Sequence, residues 1–278
     1  MTRPQSPRIS PRKSLGQNFL RDENIARKII AAIRPEPKDV LLEIGPGEGA
    51  LTRHLAACGA ALIVIDVDPR VVAAMYAMFP QGKVEIVRGD FLETDLHAMA
   101  AARNVCLRVV GNIPYNITSP ILFHVLDNRQ AVADLTIMVQ KEVARRIIAG
   151  PGSAEYGILS VMCGYFAETA LLFDVSPNAF FPRPNVTSSV VRLRMRTSPA
   201  EPARDERFFR AMVRSVFGKR RKTLRNSLAY FAAAEGFELP PLAGVTRRPE
   251  ELSIAELVDL SNTLMQSSAG HERKRPRV

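Results

Sequence analysis

The sequence predicts an α/β protein, a parallel sheet covered on both faces, followed by a smaller all-helical domain. Three observations carry this. Short apolar runs alternate with helical patterns up to about residue 195, and from about 200 only helical patterns remain. The runs are apolar across their whole width rather than alternating, as strands buried on both faces must be. Two of them also end in glycine-rich or rigid turns, LLEIGPGEGAL (41–51) and VVGNIPYNI (109–117).

The elements follow in order. DENIARKIIAAIR (22–34) places Ile25, Ile29, Ile30 and Ile33 at helical spacing, with Asp22 as N-cap and Pro35 as terminator. DVLLEIGPGEGA (39–50) reads as a strand running through a glycine turn into a helix from about 50 to 58. ALIVIDVD (61–68) is the second strand, and Pro69 opens a helix that reaches about Met78. KVEIVRGD (83–90) and VCLRVVGN (105–112) are the third and fourth strands. Ser119 and Pro120 are placed as N-cap and first residue of the next helix. DLTIMVQ (134–140) is the fifth strand, leading into KEVARRIIAG (141–150). YGILSVMCGYFAE (156–168) reads as a helix, and LLFDV (171–175) and SSVVRLRM (188–195) as strands around a proline-rich loop. PAEPARD (199–205) is a linker, and helices are expected over 205–217, 220–233 and 253–266, the last opened by a capping box at Ser253 and Glu256.

Charge narrows the possible partners. The net charge is +10, but residues 1–13 alone carry +4, residues 271–278 carry +3, and RSVFGKRRKTLR (214–225) carries +6. Basicity held in two tails and one helix points to a polyanion rather than to a uniformly basic surface. No run approaches the roughly 18–20 apolar residues of a membrane helix, and the first residues lack the apolar core of a secretory signal. A cytoplasmic location is expected. Cys58, Cys106 and Cys163 are scattered, with no CxxC, and there are four histidines, so neither a disulfide framework nor a metal site is indicated.

Two stretches carry chemistry. In EIGPGEG, glycines 45, 47 and 49 sit at a strand-to-helix turn, where the backbone can approach a ligand and the helix N-terminus favours negative charge. Asp66 and Asp90 end the next two strands at the same sheet edge, one suited to ribose hydroxyls and the other to an amino group. The GxGxG spacing suits a pyrophosphate less well than GxGxxG does, so a dinucleotide is the less favoured ligand.

The second stretch ends the fourth strand in Asn112-Ile113-Pro114-Tyr115. An amine on an aromatic ring is a poor nucleophile because its lone pair is delocalised. Two acceptors, the Asn112 side-chain oxygen and the Ile113 carbonyl, would draw the nitrogen toward a tetrahedral shape. Pro114 would fix the backbone, and Tyr115 would give a stacking face to a base taken out of its helix. Such a clamp works by orientation and electrostatics and needs no strong base.

Together with these stretches, LGQNFL (15–20), QKEVARRI (140–147), AFFPRPNV (179–186) and KRRKTLRNSL (219–228) resemble the KsgA family of small-subunit ribosomal RNA adenine N6,N6-dimethyltransferases, from about residue 12 to 265. The resemblance implies a class I, Rossmann-like S-adenosylmethionine-dependent methyltransferase domain over 14–198. It also implies a helical rRNA-binding domain over 199–267, between disordered basic tails at 1–13 and 268–278. Asn18 and Leu20 would cover the cofactor, with Gly45 at its methionine, Asp66 at its ribose and Asp90 at its adenine. Asn112, Ile113, Pro114 and Tyr115 would form the catalytic clamp, and Phe180 would stack opposite Tyr115. Lys219, Arg220, Arg221, Lys222 and Arg225 would meet 16S rRNA of the small ribosomal subunit. A monomer is expected. The chain departs from the family pattern at Asp66, where Glu is usual, and at Asn185, where the loop usually has Lys. Two other functions compete with this one: an assembly or transcription factor that only binds nucleic acid, and a resistance methyltransferase acting on large-subunit rRNA.

Overall fold

The structure, a computed structural model, describes residues 8–79, 82–218, 223–242 and 246–272. The chain divides into two compact units. One contains the residues up to Ala144 together with Glu168–Thr197; the other contains Arg145–Ala167 together with the residues from Ser198 onward.

The first unit begins with β1 (Phe19–Leu20) and α1 (Glu23–Ile33). Asp22 caps α1 by accepting from the backbone N–H groups of Asn24 and Ile25, and Arg34 ends it in the left-handed region. Then come β2 (Val40–Ile44), α2 (Thr52–Ala56), β3 (Ala61–Asp66), α3 (Pro69–Met78), β4 (Glu85–Arg88), α4 (Leu96–Ala101), β5 (Leu107–Asn112), α5 (Thr118–Asp127), β6 (Val132–Gln140) and α6 (Lys141–Ile148). After α7 (Ile158–Phe166) the chain returns through β7 (Ala167–Val175), β8 (Phe180–Phe181) and β9 (Ser188–Met195).

Seven strands form one sheet in the order β4-β3-β2-β5-β6-β9-β7, while β1 and β8 pair separately and antiparallel. Strands β4 through β6 are all parallel, but β9 runs antiparallel to β6. The expected wholly parallel sheet is therefore corrected at that edge. β2 is completely apolar-buried except for one acid, and Leu41, Leu42, Val109 and Val110 are fully enclosed. The chain runs outward from β2 through β3 to β4, then returns to place β5 on the other side of β2. That reversal opens a crevice at the carboxyl ends of β2 and β5, where open α/β sheets bind ligands.

Several boundaries differ from expectation. α2 is shorter than 50–58, because glycines 47 and 49 keep the chain turning as far as Leu51. α5 begins at Thr118, directly after a 3-10 turn over Tyr115–Ile117, so Ser119 lies inside the helix and does not cap it. Residues 8–12 are not a loose tail: Ile9 is buried and its N–H donates to Glu48 Oε1 at 3.1 Å. Met1 to Pro7 and the residues beyond 272 lie outside the described residues, and the backbone is helical through 268–272.

The second unit contains α7 with α8 (Glu206–Phe217), α9 (Leu224–Glu235) and α10 (Ile254–Glu272). The expected single break at 198/199 is thus replaced by one that also assigns 145–167 to the helical unit. α7 is apolar nearly all round and packs with α8 and α10. Ser253 and Glu256 make the expected reciprocal cap, at 2.7 and 3.2 Å. α9 starts at Leu224 after an extended Thr223, and the residues 219–222 before it lie outside the described residues; Arg214 belongs to α8 and Arg225 to α9.

Candidate active site

A cavity of about 260 Å³ occupies the crevice between β2 and β5. It brings together Asn18, Leu20, Gly45, Asp66, Asp90, Asn112, Ile113, Pro114 and Tyr115. Parallel pairing of Ile44 with Gly111 puts Gly45 and Asn112 side by side at the next step along their strands. Gly45 has φ +64° and its N–H donates to the Ile65 carbonyl at 3.0 Å. Gly111 must lack a side chain, because a Cβ there would stand 2.8 Å from the Ile44 carbonyl oxygen.

The floor of the cavity is acidic. Glu43, inside β2, is 1% exposed, and its Oε2 is buried without a hydrogen-bond partner among the described residues. Burial pushes its carboxyl up to about 8, and the nearby Asp66 adds to the rise. Burial also raises Asp66, to about 6, against the opposing hydrogen bond from the Asp68 N–H at 2.8 Å. Asp90 is exposed at the rim, where its Oδ1 accepts from the Leu92 N–H at 2.8 Å. A buried carboxyl, Glu43, and a half-buried one, Asp66, beside an open glycine turn fit a group that carries positive charge and hydroxyls, as S-adenosylmethionine does.

A strap of N-terminal residues forms one wall. Gln17 donates to Asp68 Oδ2 at 3.1 Å, and Arg70 holds Asp68 with its guanidinium and reaches the Ser10 carbonyl at 2.8 Å. Arg70 foremost, with Gln17, holds the Asp68 carboxyl far below the usual carboxylate range. Glu48 takes a two-pronged contact from Arg21, both arms at 3.1 Å, besides the Ile9 N–H.

Asn112, Ile113, Pro114 and Tyr115 line the same cavity. Asn112 Nδ2 donates to the Asn18 carbonyl at 2.9 Å, which leaves Oδ1 as the acceptor. Ile113 is buried and Pro114 holds φ −58°. The Tyr115 hydroxyl meets Ser188 Oγ at 2.7 Å, and burial pushes the phenol up from its ordinary value. Phe180 is 5% exposed, pairs in register with Leu20, belongs to the core cluster with Phe19 and Val190, and is not among the residues that line this cavity. Lys219, Arg220, Arg221 and Lys222 lie outside the described residues; Arg225 is exposed on α9. Glu43 was not singled out by sequence, since one acid within LLEIG carries no signal until both neighbouring strands bury it.

A doubly wound sheet with a glycine turn, strand-end acids and an Asn-Ile-Pro-Tyr turn at its switch point defines a Rossmann-like, S-adenosylmethionine-dependent methyltransferase. The family model described as "Ribosomal RNA adenine dimethylase" matches residues 9–265, and the chain belongs to that family. It is 42% identical over 256 residues to the ribosomal RNA small subunit methyltransferase A of Pseudomonas syringae pv. tomato, covering 92% of this chain and 95% of that one. The protein of the same name from Xanthomonas campestris pv. campestris is 45% identical over 254 residues, covering 90% and 95%. Among solved structures, a dimethyladenosine transferase from Plasmodium falciparum superposes with a TM-score of 0.73 at 23% identity, over 91% of this chain and 98% of that one. The 23S rRNA methyltransferase ErmE does so with 0.65 at 27% identity, over 87% and 100%.

Proposed function

We propose that this chain transfers methyl groups from S-adenosylmethionine to N6 of adenines in small-subunit (16S) rRNA, giving N6,N6-dimethyladenosine. The observation that supports the reading is the Asn112–Asn18 hydrogen bond, which engages the Asn112 amide nitrogen and leaves its oxygen as the acceptor for an amino group. When bound, S-adenosylmethionine supplies an electrophilic methyl group.

The protein's part is to hold and orient. Gly45 would give the close approach, Asp66 would accept from ribose hydroxyls and Asp90 from the adenine amine, and Asn18 and Leu20 would wall the cofactor in. Asn112 Oδ1 and the Ile113 carbonyl hold the target amine by two hydrogen bonds, pulling its lone pair out of conjugation with the ring. Pro114 keeps that carbonyl in place, and the Tyr115 ring, fixed through Ser188, stacks on the adenine. A second methyl requires only that the monomethyl amine re-enter with its remaining N–H on one acceptor.

The small-subunit reading over a large-subunit one is supported by relatives at 42% and 45% identity that carry the small-subunit name across nine-tenths of this chain. Lys219, Arg220, Arg221, Lys222 and Arg225 are assigned to the rRNA phosphates, which makes binding steeply salt-dependent. We read the protein as a cytoplasmic monomer that acts on the small ribosomal subunit during its biogenesis. Among the described residues no helix is long and apolar enough to cross a membrane.

The test is transfer of labelled methyl from S-adenosylmethionine to small subunits lacking adenine dimethylation, followed by nucleoside mass spectrometry. Dimethyladenosine is the expected product. Particle binding without incorporation would instead favour an assembly factor.

A further inference from the structure

An enzyme that extracts one base from an RNA strand must also hold the strand beside it, and the amine clamp grips only the extracted base. The two phenylalanines of β8 point to how this is done. Strand alternation sends them to opposite sides: Phe180 is buried in the core, while Phe181 is 46% exposed. The exposed ring is not bare. The Arg21 guanidinium carbon lies 4.1 Å from its centroid. Arg21 is itself locked by its fork to Glu48, a buried carboxylate that also accepts from Ile9 and belongs to the cavity lining. A flat, cation-capped aromatic is thus wired to the wall of the cofactor cavity, on a ribbon whose other strand, β1, lines that cavity.

We propose that Arg21 and Phe181 form a stacking platform for an unpaired rRNA base that flanks the target adenine. Stacking on a ring and a guanidinium suits any base, because every base has a π-face. The charges favour a nucleic acid over an apolar protein partner. The groove adjoining Arg21 also contains Arg8, and Arg183 is exposed two residues beyond Phe181; neither is ion-paired among the described residues. The acids in that groove are engaged: Glu48 holds Arg21, Glu23 holds His54 and Arg53, and Asp22 caps α1. Phosphates on either side of the stacked base would therefore meet arginine. This inference rests on the reading of the chain as an rRNA methyltransferase.

The experiment compares the full-length wild type with Phe181→Ala and Phe181→Tyr. Equilibrium binding to small subunits lacking dimethylation is measured alongside cofactor affinity and methyl transfer. Phe181→Ala is expected to weaken particle binding about tenfold, the scale of one lost base–aromatic stack. Phe181→Tyr should stay within about twofold, since the ring is kept. Cofactor affinity and the rate at saturating particles should not move in either variant. Equal particle binding by wild type and Phe181→Ala overturns the platform, as does a tyrosine variant as weak as the alanine one. Wild-type transfer tests the underlying reaction separately, and a wild type that does not bind the particles overturns both.

Discussion

The Tyr115 hydroxyl and Ser188 Oγ are 2.7 Å apart, a hydrogen bond that joins the turn after β5 to the first residue of β9. Ser188 is completely buried, and Ser189 beside it donates to Asp174, which also pairs with Lys141 at 2.5 Å. The ring assigned to stack on the target is therefore anchored at its hydroxyl end to β9, the strand next to the sheet edge. Ser188→Ala should lower the transfer rate by about fivefold to tenfold through loss of that orientation. Cofactor affinity should not change. Single-turnover kinetics beside calorimetric titration would separate the two, and Ser188→Thr should recover part of the rate.

Asn112→Ala should abolish transfer, by about a hundredfold or more, the scale seen when an oriented polar contact to the reacting group is removed. Binding to small subunits should remain close to wild type. If both fall together, Asn112 has a structural role and the clamp assignment is wrong.

Glu43 links proton binding to stability. Its folded carboxyl titrates near 8 rather than at the ordinary 4.5, so its contribution is fully present below about 4.5 and is lost as pH rises through 8. Glu43→Gln should flatten the fall in ligand-free stability across that window by more than about 1 kcal/mol, read from urea unfolding at several pH values. A cationic cofactor favours the ionised form, so its affinity should rise between pH 6 and 8 with proton release. Calorimetry in buffers of different ionisation enthalpy measures that release.

Arg108 secures the opposite end of the sheet. It meets Asp134 at 2.9 Å and Asp39 at 2.6 Å, and donates to the Ile33 and Arg34 carbonyls at the end of α1. Hydrogen bonds from Glu36 and Arg108 hold the Asp39 carboxyl low despite some burial, while burial leaves the Asp134 carboxyl raised. Removing the cation by Arg108→Met strands a buried acid and should cost about 3–5 kcal/mol. Chemical denaturation tests this, and the methyl-transfer rate of the folded fraction should be unchanged.

Gly111 and Gly59 make a contrasting pair. An alanine Cβ at 111 would press on the Ile44 carbonyl oxygen at 2.8 Å, whereas at 59, with φ +80°, it would meet nothing within 4 Å. Gly59→Ala should cost about 1 kcal/mol of backbone strain. Gly111→Ala should cost more and also weaken cofactor binding, because β2 and β5 must part at the cavity. Thermal melts with and without S-adenosylmethionine would show both effects.

The sheet and the clamp were legible because their signals are local. Apolar runs bounded by Gly45, Asp66, Asp90 and Asn112 name both the strands and the edge at which ligands bind. What sequence did not disclose depends on distant partners. Residues 8–12 look like a basic tail until Glu48 and Arg70, far along the chain, capture Ile9 and Ser10. Phe180 and Phe181 are alike as letters, and only pairing with β1 decides which of them is buried. Glu43 is one acid in an apolar strand, and its proton affinity is set by the strands on either side. The apolar surface of α7 announces burial without saying which unit provides it.

That last point bears on how the chain is made. α7 emerges from the ribosome before β7, β8 and β9, yet the helices it packs with, α8 and α10, follow all three strands. Tyr165 and Phe166, which pack against Phe209 and Arg210 of α8, therefore remain uncovered by these neighbours while the first unit's sheet is still being completed. A polypeptide stopped at Thr197 would keep this greasy helix and lose its cover. The helical unit is thus no detachable appendage, and its late helices act as a closing step in biosynthesis.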